Sequence, residues 1–212
     1  MRFDRVKPLF KENFPKIKAS KVLIIGIGGV GGFCLDCLYR SGVGDITIID
    51  YDTFEISNQN RQIGSESVGE KKVVALSNIY KDISFINAKI TPEWVESFDF
   101  SSYDLIIDAI DDMPSKVALA HKTYKKLISS CGAAKRIDPT KIEINSIWKT
   151  TNDPFAKKFR YQLKKSGFDK DFDVVFSSEA PMRIDELGSF VGVTGSMGLA
   201  LCSLALRKLT VS

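Results

Sequence analysis

The first chemical signal in the sequence is the run Gly26-Ile27-Gly28-Gly29-Val30-Gly31. Gly26, Gly28 and Gly31 have G-x-G-x-x-G spacing, directly after an apolar run and ahead of a helix-like one. Glycines there permit a tight turn and close backbone approach, and the free N–H groups at the helix start face phosphate oxygens. Asp50 ends the next apolar run, where a carboxylate can accept hydrogen bonds from ribose hydroxyls. These features alone would suggest a nicotinamide dinucleotide. Three later segments argue for ATP instead: Ser57-Asn58-Gln59-Asn60-Arg61-Gln62, Val68-Gly69-Glu70-Lys71-Lys72 and Asp108-Ala109-Ile110-Asp111-Asp112. They add two cations and a carboxylate pair at strand ends, where ligands bind in such sheets. Hydride transfer between carbons needs none of them. Displacing pyrophosphate from ATP uses cations to offset phosphate charge and a carboxylate to hold magnesium. Each residue alone is more often a solvated surface charge; the combination is far more specific.

The elements that must position these residues follow from periodicity. Lys21 to Ile25 is an apolar run that reads as a buried strand, Val30 to Ser41 as the following helix, and Asp45 to Asp50 as a second strand. That order is a βαβ unit with a parallel sheet. The polar stretch from Asp52 to Val68 is too long for a plain turn and is a candidate functional loop. Gly69 to Ile83 has helical spacing, and Phe85 to Ile90 and Leu105 to Ala109 read as strands. Pro114 to Leu127 reads as a helix. Leu127 to Gly132, Lys141 to Trp148 and Asp173 to Ser178 read as further strands, with the helix of Asp153 to Lys170 between the last two. The expected fold is α/β: a Rossmann-like, mostly parallel sheet with helices on both faces and a C-terminal extension of antiparallel strands and helices.

The 212 residues suit one domain, 1–212. Within it, 1–20 reads as an amphipathic N-terminal arm, with Val6, Leu9, Phe10 and Phe14 on one side. Segment 149–186 is the expected substrate-facing part and 187–208 the C-terminal helix. Hydrophobic residues make up 44% and charged residues 26%, so no staple is needed to hold a core. The net charge of +4 only weakly favours an anionic partner. The N-terminus lacks the apolar core of a signal peptide, which points to the cytoplasm and to free thiols at Cys34, Cys37, Cys131 and Cys202. Leu187 to Leu206 is a stretch of twenty residues without a charge, the length of a bilayer span. Its glycines and hydroxyl residues favour a helix buried in the core or at a dimer interface.

In order, the Gly26–Gly31 loop, Asp50, Ser57-Asn58-x-x-Arg61-Gln62, Val68-Gly69-x-x-Lys72 and Asp108-x-x-Asp111 resemble the ThiF/MoeB/HesA superfamily of adenylating enzymes. The resemblance implies that Gly26, Gly28, Gly29 and Gly31 cradle ATP and that Asp50 binds ribose. It assigns Asn58, Arg61 and Lys72 to the phosphates and Asp111 to magnesium. It makes Arg61, Lys72 and Asp111 the catalytic set. Arg5 is the candidate for an arginine that the family inserts into the partner subunit's active site, which implies a homodimer.

Three more segments resemble the TcdA (CsdL/YgdL) branch, the tRNA threonylcarbamoyladenosine dehydratases: Gly132 to Ile142, Lys149 to Lys165, and Val174 to Glu179. That branch implies ATP-dependent adenylation of a threonyl carboxylate and cyclisation of a modified adenosine beside a tRNA anticodon. Its partners are tRNA and, in some relatives, sulfur-trafficking proteins. Lys157, Lys158, Arg160, Lys164 and Lys165 are the candidate tRNA contacts, with Phe159, Tyr161 and Phe168 as stacking rings. The alternative is a solvated amphipathic helix whose aromatics pack inward. The segment between Glu179 and Gly188 is shorter than is usual in the family and carries no cysteine. The competing function is adenylation of a sulfur-carrier protein's C-terminus, as in the MoeB and ThiF branches. Those relatives usually have two Cys-x-x-Cys zinc pairs; here there is one, Cys34-Leu35-Asp36-Cys37, inside a helix. A third reading is a catalytically silent nucleotide-binding module, which would not need Arg61, Lys72 and Asp111 together. Cys131 reads as a buried structural thiol and His121 as a surface residue without a role.

Overall fold

The run Lys21–Ile25 forms strand β1 in the middle of a sheet because it is apolar on both faces. Val22 and Ile24 belong to one core and Leu23 and Ile25 to the other. The computed structural model describes residues 2–210, so Met1, Val211 and Ser212 of the expected 1–212 domain lie outside it. Six further strands flank β1: β2 (Asp45–Ile49), β3 (Ser84–Ile86), β4 (Leu105–Asp108), β5 (Leu127–Ser130), β6 (Ile142–Ser146) and β7 (Asp173–Ser177). Their order is β3-β2-β1-β4-β5-β7-β6. Only β6 runs antiparallel, and it pairs with β7 at the edge. The chain reverses its direction of travel between β1, leading to β2, and β4 on the other side. This leaves a crevice beyond the carboxyl ends of β1 and β4, where ligands bind in open α/β sheets.

Among the described residues eight α-helices accompany the sheet: α1 (Lys7–Phe10), α2 (Phe14–Ala19), α3 (Gly31–Ser41), α4 (Lys72–Ile79), α5 (Pro92–Ser97), α6 (Met113–Thr123), α7 (Pro154–Lys165) and α8 (Val191–Thr210). Apolar residues of α2, α3, α4 and α8 join the core on one face, and those of α5, α6 and α7 the core on the other. Helices therefore cover both faces, as the βαβ reading requires.

The glycines of α8 are explained within the chain. A Cβ on Gly198 would lie 2.4 Å from the Val30 carbonyl oxygen and 2.9 Å from the Cys34 nitrogen, so α8 and α3 meet backbone to backbone. No described helix is long and apolar enough to cross a membrane.

Several boundaries differ from the sequence reading. The arm is not one amphipathic helix: Lys11, at φ 46°, separates α1 from α2, and Leu9 is 78% exposed while Phe14 and Ile17 are buried. The strand expected over Phe85 to Ile90 stops at Ile86, and the next residues turn towards the crevice. The helix expected over Asp153 to Lys170 ends at Lys165, because Gly167 takes a φ of +79° and returns Phe168 to the core.

Candidate active site

A cleft of about 650 Å³ opens at the carboxyl ends of β1, β2 and β4. Gly26, Gly28, Gly29, Asp50, Asn58, Arg61, Lys72 and Asp111 all line it. Gly31 does not, and its contribution is packing: a Cβ there would lie 1.9 Å from the Gly26 carbonyl oxygen. Gly26, at φ +85°, abuts the Ala109 carbonyl, where a Cβ would come within 2.8 Å. Gly28 is different. The nearest atom to a Cβ there is Gln62 Nε2 at 3.8 Å, so the space above Gly28 belongs to the cleft. Among the described residues, the amides of Gly28, Gly29 and Val30 have no partner. They are free donors at the start of α3, the arrangement that binds phosphate.

Asp50 ties the loop together from the tip of β2. Its Oδ2 accepts from the Ile27 amide at 2.9 Å and its Oδ1 from the Asp52 amide at 2.8 Å. Each oxygen retains a lone pair for a ribose hydroxyl.

The two cations of the cleft are held from the side. Arg61 Nη1 donates to the Ser57 carbonyl and to Asn60 Oδ1, both at 2.8 Å. Its Nε and Nη2 have no partner among the described residues. Asn58 accepts the Glu55 amide through Oδ1 at 3.1 Å, closing a short 3₁₀ turn, and its Nδ2 donates to the Ser57 hydroxyl at 3.5 Å with a second N–H left for an anion. Lys72, the first residue of α4, is almost fully buried, and its Nζ lies 3.0 Å from Asp52 Oδ2.

The structure separates the two adjacent carboxylates. Asp112 is the N-cap of α6: its Oδ2 accepts from the Ser115 amide at 2.9 Å and the Ser115 hydroxyl at 2.5 Å. Asp111 has no such bond and is exposed in the cleft. The local signal was legible, since Asp112 stands just ahead of Met113-Pro114, a helix start with Pro in the first turn.

Gln62, read as part of the motif but given no role, also lines the cleft, and four cleft residues were not singled out by the sequence reading: Tyr51, Asp52, Lys89 and Thr194. Asp52 and Tyr51 follow Asp50 directly and could have been suspected. Lys89 and Thr194 arrive from distant segments and could not. The Tyr51 hydroxyl is pushed up in pKa, mainly by the Asp52 carboxylate, then by burial and by Asp50 and Asp111. Three carboxylates therefore converge near that ring. Thr194 lies in the first turn of α8, and Asn60 Nδ2 donates to the Ser189 carbonyl at 2.9 Å, so the short 178–190 connection is tied to the loop that carries Arg61. The same connection grips the loop after β5. Met182 and Lys135 are bonded backbone to backbone at 2.7 Å, and the Glu179 carboxylate accepts the Ile137 and Asp138 amides.

The remaining candidates lie outside the cleft. Arg5 belongs to the N-terminal turn, whose Arg2 donates to the Tyr39 carbonyl at 3.1 Å near the end of α3. That end is roughly 16 Å along the helix from the glycine loop. Arg5 is thus remote from its own cleft. Helix α7 starts beside the loop after β5, where a Cβ on Gly132 would lie 3.0 Å from Phe155. Its 12 residues carry it roughly 18 Å to the opposite end of the strands, where Lys164 lies over Trp148 just past Ser146, which pairs with the first residue of β7. Lys157 and Lys158 are exposed on its first half, and Lys164 and Lys165 on its far end. Arg160 turns inward instead, to the Thr150 hydroxyl. Of the three rings, Phe159 and Phe168 are buried and only Tyr161 faces out. The inward-packing alternative holds for those two rings.

His121 contacts the Ser166 hydroxyl at 2.9 Å, so it joins α6 to the end of α7. Cys34 and Cys37 lie on α3, and burial pushes the Cys34 thiol up. Cys131 is buried, and its thiol is likewise raised by burial, as expected for a structural cysteine.

The chain matches the ThiF family over residues 4–176. It is 40% identical over 187 residues to the tRNA threonylcarbamoyladenosine dehydratase of Bacillus subtilis, covering 83% of this chain and 74% of that protein. With the enzyme of the same name from Escherichia coli the identity is 33% over 196 residues, covering 87% and 71%. The fold superimposes on the crystal structure of Escherichia coli TcdA in complex with AMP at a TM-score of 0.92 and 32% identity, covering 98% of this chain and 93% of that one. The crystal structure of that enzyme with ATP superimposes at 0.91. By this match, and by the placement of its motif residues around one cleft, the chain belongs to the ThiF family.

Proposed function

We propose that the protein is an ATP-dependent tRNA threonylcarbamoyladenosine dehydratase. One observation carries the reading: free amides at Gly28 to Val30, the cations of Arg61 and Lys72, and the uncommitted carboxylate of Asp111 meet in one cleft. A carboxylate is a poor electrophile because its leaving group would be oxide. In the proposed first step, an oxygen of the threonyl carboxylate attacks the α-phosphorus of ATP and pyrophosphate leaves with the electron pair of the broken P–O bond. In the second, the carbamoyl group of the same nucleoside attacks the activated carbonyl, the ring closes, and AMP leaves. The protein supplies position and charge. The glycine-loop amides hold phosphate oxygens, Asp50 orients the ribose, and Asn58, Arg61 and Lys72 offset charge on the phosphates and the departing pyrophosphate. No protein nucleophile is needed.

Magnesium fits this donor set, because the ion is usually held by one or two carboxylates together with substrate phosphates. Asp111 would hold it, with Asp52 as the second carboxylate nearby, and it would neutralise phosphate charge. The tRNA would approach along the first half of α7, through Lys157 and Lys158, with Tyr161 available for stacking. Arg160, Lys164 and Lys165 contribute less, given where they point. We place the reaction in the cytoplasm, where tRNA is modified. Arg5 would act only across a homodimer, in the cleft of the other protomer.

Activation of a sulfur carrier shares the first chemical step. The basic first half of α7 and the near-full-length likeness to dehydratases favour tRNA. The test is nucleoside analysis of tRNA incubated with the protein and ATP. Cyclised nucleoside with one AMP per ring is expected. Pyrophosphate exchange that appears only with a carrier-protein C-terminal peptide would overturn the assignment.

A further inference from the structure

Lys116 is an unusual residue for its place. It lies on the second turn of α6 with its side chain fully buried, and its partner Asp108, the last residue of β4, is fully buried too. The ammonium lies 2.8 Å from Asp108 Oδ2 and donates to the Ile110 carbonyl at 3.0 Å. Asp108 is satisfied on every side: Oδ2 also accepts from the Ser129 hydroxyl at 2.7 Å, and Oδ1 accepts from the Ile110 amide at 3.2 Å. The rings of Phe155 and Phe159 flank the ammonium, each 5.7 Å away. Lys116 does not line the cleft.

A buried ion pair of this kind is weak support for stability, since well-packed apolar residues often replace one without loss. Its geometry suggests another purpose. Ile110 is gripped at both polar backbone groups, its amide by Asp108 and its carbonyl by Lys116. On the other side of Asp111, Asp112 is fixed as the cap of α6. The glycine loop presses on the same segment, because a Cβ on Gly26 would lie 2.8 Å from the Ala109 oxygen and 2.9 Å from Ile110 Cγ2. The backbone that presents Asp111 is thus clamped before and after it, and the clamp also braces the phosphate loop.

We propose that Lys116, through Asp108, is a positioning residue for Asp111, setting the carboxylate that receives magnesium against the phosphates. The proposal rests on the reading of Asp111 given above. A rigid backbone at that point holds the carboxylate where the metal must meet it, and misplacement there costs rate more than ATP binding.

The test uses the full chain and three variants: Lys116→Met, the pair Asp108→Asn with Lys116→Met, and Asp111→Asn. The double variant removes both buried charges together, so it remains folded where the single one leaves an unpaired carboxylate. Three quantities are read: ATP-dependent pyrophosphate exchange with modified tRNA against magnesium concentration, KM for ATP, and hydrogen exchange of the 109–112 amides without nucleotide. For the double variant the expected results are kcat lower by about 10- to 100-fold, KM for ATP within about twofold, a higher magnesium requirement, and faster exchange at Ile110, whose amide Asp108 holds. Wild-type kcat and magnesium requirement in a folded double variant would overturn the proposal while leaving Asp111 in its role. Wild-type kcat in Asp111→Asn would instead remove the reading on which the proposal stands. A Lys116→Met chain that loses only melting temperature, with kcat and exchange at 109–112 intact, would make the pair purely structural and also overturn it.

Discussion

Replacing Gly28 by alanine adds one methyl group where the structure leaves room but the substrate should not. Its φ is not positive, and the nearest atom to the new Cβ is Gln62 Nε2 at 3.8 Å, an ordinary contact. The free protein should therefore keep its melting temperature or gain slightly, by up to about 1 kcal/mol from reduced freedom of the unfolded chain. The methyl group would occupy the space of a phosphate oxygen. Forcing a methyl group into a filled site costs about 1–3 kcal/mol, which is about 5- to 150-fold in ATP affinity. Gly31→Ala is the control. Its Cβ would lie 1.9 Å from the Gly26 carbonyl, and Gly26 cannot retreat because its amide is bonded to the Ile49 carbonyl at 2.8 Å and its other side abuts Ala109. That variant should lose about 3 kcal/mol of stability or more, a drop of roughly 6–12 °C for a chain of this size. Calorimetric titration with ATP and thermal unfolding separate the two effects. If Gly28→Ala binds ATP as the wild type does, the space over Gly28 is not the nucleotide's and the cradle is misassigned.

Asp111 and Asp112 should respond in opposite ways. Asp112→Ala should cost about 1 kcal/mol of stability through the lost cap and lower pyrophosphate exchange only in part, because Asp108 and Lys116 still hold the preceding backbone, whereas Asp111→Ala should abolish exchange with unfolding unchanged. Chelation of magnesium should likewise stop exchange while tRNA binding, followed by filter retention, persists; turnover in excess chelator would refute the metal's place. Removing Lys157 and Lys158 should weaken tRNA binding and flatten its salt dependence by roughly 0.7–0.9 per lysine, more than removing Lys164 and Lys165 at the far edge. Equal effects from both pairs would place the tRNA elsewhere. Cys37 should be the first thiol alkylated by iodoacetamide. The hydrogen bond from Cys202, aided by Ser41, outweighs burial and the Asp36 charge and lowers its pKa, so thiolate is present at lower pH than for an ordinary cysteine. Its alkylation rate, mapped by mass spectrometry, should rise with pH at lower pH than that of the other three cysteines; a later rise than theirs would refute the assignment.

The sequence carried its strongest information where the physics is local. Glycine spacing after an apolar run, a carboxylate at the next strand end and the cations of the following loop identified a phosphate cleft, because each depends on a few neighbouring residues. The two-sided apolar runs likewise identified buried parallel strands. Relations between distant segments were not legible. Lys116 looked like any helix lysine until the fold laid α6 across the end of β4 and enclosed it with Asp108 and two rings from α7. The glycines of α8 suggested close packing without naming the partner, which proved to be α3 about 160 residues earlier. Net charge along α7 could not say that its two ends lie at opposite ends of the strands, or that Arg160 turns inward. Residue types and short spacings fix which chemistry is possible. Which groups remain free to perform it depends on what the rest of the chain has already bonded, and only the tertiary structure decides that.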